Sequence, residues 1–215
     1  MITAVQVVLF DLGNTLFFDN AAAWPRTYAR AEAALWRVLH RAGVRVAPSK
    51  VYGRPTTLLG HYYELRGSGI LEPGTFEVLR NLLLSHAPGL PDEIITRALR
   101  AMYGVTQTNW KVERAAGRTL RVLQGRGFRI GAISNGSDDW NAHELLNKAR
   151  LRRYFEMVLT SAAHGRRKPD ASIFQSALAH FQVDPQRAVM IGDNLQADIL
   201  GASALGMHTI WITKR

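Results

Sequence analysis

The chain contains no cysteine. Disulfides and thiolate-held metals are therefore excluded, although that absence alone fits any compartment. Long apolar runs are missing as well, and nothing approaches the roughly 20 residues needed to span a bilayer. The run Val5–Phe10 is too short for a signal core, with no basic flank before it and no small-residue cleavage site after it. No membrane partner is expected, and a cytoplasmic location is. Acidic residues are the scarce sign, 17 against 27 Lys and Arg in 215 residues, giving a net charge of +10. The basic residues are spread along the chain, with short clusters only at Arg152-Arg153 and Arg166-Arg167-Lys168. Nucleic-acid binding would ask for a denser stripe or a recognisable module, so no nucleic-acid partner is expected. A summed positive field does favour anionic substrates. The 7 histidines show no metal-ligand spacing, and His143 and His164 read as surface residues. Repeats and low-complexity linkers are also absent.

What the sequence does have is a strand-length apolar run, Val5-Gln6-Val7-Val8-Leu9-Phe10, that stops at a carboxylate, Asp11, then a Gly13-Asn14 pair and Thr15. Near-continuous Val, Leu and Phe suit a strand buried on both faces of a parallel sheet. Gly-Asn marks a tight turn directly after it. Asp11 then stands at the carboxyl end of a central strand, where open α/β sheets bind ligands.

From Leu16 to Gly127 no convincing strand is visible. Phe17-Phe18-Asp19-Asn20 reads as a short flap before Asp19 or Asn20 caps a helix. Helical periodicity follows over about residues 21–40, with Pro25 in the first turn, then 49–66, 74–86 and 91–103. Strand–helix alternation resumes afterwards. A helix is expected over 114–125, strands over 128–133, 157–160, 188–191 and 208–213, and helices after 137, over 172–181 and over 195–205. This alternation predicts an α/β fold, a Rossmann-like parallel sheet with helices on both faces, interrupted by an inserted all-helical cap. The expected division is 1–16 with 111–215 for the core domain and 17–110 for the cap.

Three of the strands end in polar groups, Asp11, Ser134 and Asp193. In a parallel sheet all three point to one edge and converge despite their distance in sequence. Asp193 and Asp198 fall within one short segment at a helix start, and with Asp11 they make an oxygen-rich site suited to Mg²⁺. Lys168 offers one positive charge to a phosphate oxygen and against crowded carboxylates. Ser134 has no histidine paired with it, so a Ser-His-Asp hydrolase is unsupported.

The order Val7-Val8-Leu9-Phe10-Asp11-Leu12-Gly13-Asn14-Thr15-Leu16, then Ile133-Ser134-Asn135-Gly136, then Lys168-Pro169, then Ile191-Gly192-Asp193-Asn194 with Asp198 resembles the four motifs of the haloacid dehalogenase superfamily. The resemblance runs from about Val5 to Ile212, and the helical insert is similar to the family's cap. It implies that Asp11 attacks phosphorus to form an aspartyl-phosphate. It implies Mg²⁺ held by Asp11, the Gly13 carbonyl and Asp193, with Asp198 orienting Lys168 or a metal-bound water. Ser134, Asn135 and Lys168 would hold the phosphoryl oxygens of a small phosphorylated substrate. One departure stands out: where phosphatases of the family carry a second Asp, two residues after the nucleophile, this chain has Gly13. Asn14 and Asp19 are the nearest groups that could replace it through water. The expected function is a Mg²⁺-dependent phosphatase-like hydrolase of small phosphorylated metabolites. A 2-haloacid dehalogenase or phosphonatase-type hydrolase is the alternative, as is a catalytically weak phosphate-binding or regulatory relative. Nothing marks Lys50 as the cap lysine a phosphonatase would need. Trp24, Tyr28, Arg54, Tyr62 and Tyr63 are loose candidates for lining the substrate pocket.

Overall fold

A computed structural model describes residues 4–53 and 57–213. The chain divides into two compact units, one of Met1–Phe18, Ile70–Glu72 and Lys111–Arg215 and the other of Asp19–Gly69 and Pro73–Trp110. Candidate residue Arg54 lies outside the described residues. Among those described, no helix is long and apolar enough to cross a membrane.

In chain order, β1 (Val7–Phe10) and β2 (Phe17–Asp19) precede the helices α1 (Trp24–Arg41), α2 (Pro48–Tyr52), α3 (Leu58–Arg66), α4 (Thr75–Leu83) and α5 (Asp92–Thr106). Then come β3 (Trp110–Val112), α6 (Ala116–Gly125), β4 (Arg129–Ser134), α7 (Asp139–Lys148), β5 (Met157–Thr160), α8 (Ser161–His164), α9 (Ala171–Phe181), β6 (Ala188–Gly192) and β7 (His208–Trp211). A helical segment, Leu195–Ser203, lies between β6 and β7.

Five strands form one sheet in the order β5-β4-β1-β6-β7, with every pairing parallel. β1 is central, and all four of its residues are buried, as its unbroken apolar run requires. Its register sets the chemistry. Phe10 lies opposite both Ala132 and Ile191, so one step further Asp11 stands level with Ile133 and Gly192, and the next step brings Ser134 and Asp193 to the same rim. The ladder continues to that point, for the Asp11 N–H donates to the Ile191 carbonyl at 2.8 Å.

One face of β1 is covered by α9, whose buried Ile173, Phe174, Ala177, Leu178 and Phe181 fall on one helical stripe. They join Val7, Leu9, Ile133, Ala188 and Met190 in a single core cluster. Burying each large side chain there stabilises the fold by about 1.5–3 kcal/mol. The helix packs this close because Gly131 has no side chain: a Cβ there would lie 2.8 Å from Leu9 and from the Phe181 ring.

The second unit is all-helical. The apolar stripes of α1 (Ala31, Leu35, Leu39) and α5 (Ile95, Leu99, Met102) recur at three- and four-residue intervals and are buried. Glu32 of α1 accepts the Leu58 N–H that opens α3 at 3.0 Å and the Trp36 indole N–H at 2.7 Å, so one carboxylate satisfies a helix-end donor and orients a core tryptophan.

Three expectations need correction. Strands do occur between Leu16 and Gly127: β2 and β3 form a separate two-stranded sheet. Each is three residues long, too short for alternation to show. The helix expected over 49–66 is also two helices, because the chain leaves α2 at Gly53 with φ +68°, a left-handed conformation that only glycine adopts freely. Asn20 and Asp19 do not cap by side chain. Asn20 precedes a short 3₁₀ turn without such a bond, and the Asp19 carboxylate accepts the Trp24 indole N–H instead.

Replacing Gly131 by Ala should destabilise the protein by about 1–3 kcal/mol, the usual cost of overpacking a filled core. Urea unfolding followed by circular dichroism measures it, and a midpoint equal to wild type would contradict this account of the α9 interface.

Candidate active site

The turn after β1 is tied by its own backbone. The Leu12 carbonyl accepts from Leu16 N–H and Phe17 N–H, both at 2.9 Å, and Asn14 N–H donates to the Phe17 carbonyl at 2.6 Å. Asn14 takes φ +56°, the left-handed conformation that asparagine tolerates better than most residues. These bonds leave the Gly13 carbonyl outside the turn's own bonding, and they fix Asp11 at the mouth of the sheet with 8% of its surface exposed.

Asp198 arrives from the far side. The Asn194 carbonyl accepts from both Asp198 N–H and Ile199 N–H, so the helix after β6 begins with a widened π turn, a feature often found at functional sites. The Asp198 side chain folds back beneath it. Its Oδ2 accepts the Asn194 N–H at 3.0 Å, while Oδ1 lies 2.7 Å from the Lys168 Nζ. Glycine is obligatory at 192 for this arrangement, because a Cβ there would lie 2.2 Å from Asp198 Oδ2.

Lys168 sits in the loop between α8 and α9 and is almost completely buried. Asn135 holds its backbone at two points, accepting the Lys168 N–H at 2.8 Å and donating to the Lys168 carbonyl at 2.9 Å. That reciprocal pair uses one donor and one acceptor site of the Asn135 amide and fixes its orientation. The Lys168 ammonium donates to Asp11 Oδ1 at 2.8 Å and to the Ile133 carbonyl at 2.6 Å, and it forms an ion pair with Asp198 Oδ1 at 2.7 Å. Ser134 stands at the end of β4, half-buried and in register with Thr160.

Carboxylate oxygens of Asp11, Asp193 and Asp198 lie within 4.8 Å of one another. With Lys168 as the cation among them, the four side chains sum to a charge of −2. Burial pushes the Asp11 carboxyl up to about 6; Lys168 opposes the shift, and Asp198 and Asp193 reinforce it. Burial likewise pulls the Lys168 ammonium toward losing its proton, but Asp11 and Asp198 together outweigh it and hold the pKa above the usual lysine value. A divalent cation fits this donor set, since it would balance the charge and is matched by hard oxygen ligands. Asp11, Asp193 and the Gly13 carbonyl are groups that could hold it, and both Asp198 oxygens are engaged by Lys168 and Asn194.

Asp11, Lys168, Asp193 and Asp198 are thus brought together, with Ser134, Asn135 and Gly13 on the same rim. The other candidates are occupied elsewhere. His143 meets Arg152 and Asp139, and His164 meets Ser176 and the Arg166 carbonyl. Lys50 is exposed on α2. Within the helical unit, Tyr62 is core, Trp24 stacks on Tyr28, and Tyr63 is half exposed. Two buried residues of the first unit, Glu72 and Ser161, had no signal in the sequence; only their burial beside the rim singles them out.

The family model of haloacid dehalogenase-like hydrolases matches residues 5–206. The chain is 31% identical over 208 residues to the glyceraldehyde 3-phosphate phosphatase of Pyrococcus furiosus, covering 96% of this chain and 80% of the relative. It is 38% identical over 213 residues to the protein of that name from Methanothermobacter thermautotrophicus, covering 97% and 85%. The 2-haloacid dehalogenase structure from Pseudomonas syringae pv. tomato is similar with a TM-score of 0.65 at 26% identity, over 97% of this chain and 86% of that one. The phosphatase structure from Thermococcus onnurineus shares the fold with a TM-score of 0.58 at 22% identity, over 98% and 87%. Sequence and fold therefore agree with the carboxylate rim: this chain belongs to the haloacid dehalogenase-like hydrolases.

Proposed function

We propose that the protein is a Mg²⁺-dependent phosphatase of small phosphorylated compounds that works through an aspartyl-phosphate on Asp11. The observation that carries this reading is the placement of Asp11 Oδ1 2.8 Å from an ammonium that Asp198 also holds, within a three-carboxylate cluster. Asp11 is the buried nucleophile. Lys168 fixes one of its oxygens, leaving the other to attack phosphorus, and the P–O bond to the leaving group breaks as the new one forms. Water then displaces phosphate from Asp11. Ser134 Oγ and the Asn135 N–H stand on the rim as donors to the phosphoryl oxygens, and Asp198 keeps Lys168 charged and in place. The bound cation would supply charge stabilisation for the transferring group. The inserted helical unit, 17–110, is assigned the role of cap, and with it the choice of substrate. A cytoplasmic location completes the proposal.

Asp193 favours this reading over a 2-haloacid dehalogenase, because a third carboxylate suits a cation and burdens a site that must release halide. Gly13 favours a slow enzyme. Without an acid–base group at that position, rates lose about 10²–10⁴-fold, so substrates with good leaving groups suffer least.

Purified protein should hydrolyse p-nitrophenyl phosphate with Mg²⁺, and EDTA or Asp11→Asn should reduce this to background. Halide release from 2-chloropropionate without phosphate turnover would reverse the assignment. Gly13→Asp should raise kcat on an alkyl phosphate by at least tenfold, a smaller gain than the ceiling set by acid–base catalysis; an unchanged kcat would show that another group already serves. A stability test follows from the Asp11 carboxyl. Burial raises its pKa to about 6 from the ordinary 3.8, so near neutral pH the native state keeps a proton more readily than the unfolded chain. Stability should fall as pH rises through that window, by at most about 3 kcal/mol. Asp11→Asn should therefore melt higher than wild type at pH 7.5 in EDTA, and the gap should close toward pH 4.

A further inference from the structure

Ile70–Glu72 belongs to the sheet-bearing unit although the residues on either side belong to the helical one. It is held by the loop that carries Lys168. Arg167 N–H donates to the Ile70 carbonyl at 2.9 Å, Glu72 N–H donates to the Gly165 carbonyl at 3.0 Å, and Leu71 bridges Arg166 in antiparallel register. This places the Glu72 side chain in the interior, where it is 5% exposed beside fully buried Ser161.

The hydroxyl of Ser161 has one proton. It donates to Glu72 Oε2 at 2.6 Å, while the Gly136 N–H donates to Ser161 Oγ at 3.0 Å. Because Ser161 spends its one proton on Glu72, its oxygen is left to accept from Gly136, and Glu72 sets the direction of this chain. The competing donation from Ser161 Oγ to the Gly136 carbonyl spans 3.3 Å and loses to the charge-assisted bond. That carbonyl takes the Ala162 N–H at 3.1 Å, so both backbone groups of Gly136 are held by the turn after β5.

The bonds close a ring. Glu72 holds Ser161, Ser161 holds Gly136, its neighbour Asn135 clamps Lys168, and Arg167 beside Lys168 pairs back to Ile70. We infer that Glu72 is a positioning residue for anion binding: through Ser161 it sets the Ser134–Gly136 rim, and through its backbone it sets the Lys168 loop. The inference rests on the proposed phosphate site but has a readout of its own.

Three variants test it: Glu72→Ala, Ser161→Ala and Glu72→Gln, whose amide oxygen still accepts the Ser161 proton. Hydrogen exchange of the Gly136 amide, read by NMR in the full-length protein, should quicken at least tenfold in the two alanine variants and much less in Glu72→Gln. A roughly tenfold change is on the scale of losing one hydrogen bond. The KM for p-nitrophenyl phosphate and the dissociation constant of inorganic phosphate should rise about tenfold in both alanine variants, with kcat and Mg²⁺ affinity changing less than threefold. Ser161→Ala carries the test if Glu72→Ala does not fold. Unchanged Gly136 exchange in the folded alanine variants overturns the inference whatever the activity. So does a fall in kcat with KM and phosphate affinity intact. Wild-type protein without turnover would defeat the proposed function alone, since exchange and phosphate affinity still decide the role of Glu72.

Discussion

A single ammonium group sets the terms of the site. Lys168 is buried among carboxylates, with two hydrogen-bond acceptors and the Asp198 carboxylate all within 2.8 Å of its ammonium. Stripping Lys168 of both carboxylates would cost about 3–5 kcal/mol, because the charge would be left without water or counterion. The neighbouring structure reads as a set of devices that keep this charge where it is. Asn135 holds the lysine backbone, the π turn after β6 swings Asp198 beneath it, and Gly192 leaves the space that Asp198 occupies. The same arrangement leaves the cluster short of positive charge, which is why burial and repulsion raise the Asp11 carboxyl. The excess negative charge of the cluster is of the sign that a bound cation would offset.

The sheet makes this gathering possible. Parallel pairing in register puts the carboxyl ends of β1, β4 and β6 at one level, so residues more than a hundred positions apart arrive at a common edge without long loops. The cost falls on the backbone. Gly131 must lack a side chain for α9 to cover β1, and Gly192 must lack one for Asp198 to approach. Two glycines in the strands that flank β1 on either side thus serve different ends, one the core and the other the site.

Much of this was legible in the amino-acid order. A both-faces-buried strand announces itself by an unbroken apolar run, so β1 and the place of Asp11 could be read from Val5–Leu16. Strand–helix alternation likewise showed the sheet and the convergence of Asp193 and Asp198 on Asp11, whereas the place of Lys168 beside them followed only from the resemblance of the four-motif order. The missed features are those whose cause is not periodic. β2 and β3 are three residues each and exist only because they pair with each other. The break after α2 had a signal in Gly53 and Pro55 that helical spacing on either side concealed. The π turn at Leu195–Leu200 inserts one residue per turn, which ordinary helical patterning does not show. Glu72 and Ser161 look like any solvated acid and any turn serine until the fold closes over them.

The chain passes between its two units four times, at Phe18/Asp19, Gly69/Ile70, Glu72/Pro73 and Trp110/Lys111. The helical insert is therefore not a cassette with one entrance and one exit. Grafting 19–110 from a relative, or deleting it to obtain a minimal scaffold, would carry away the three residues that brace the lysine loop. A chimaera that respects the architecture must keep Ile70–Glu72 native and exchange the helices before and after it as two separate pieces.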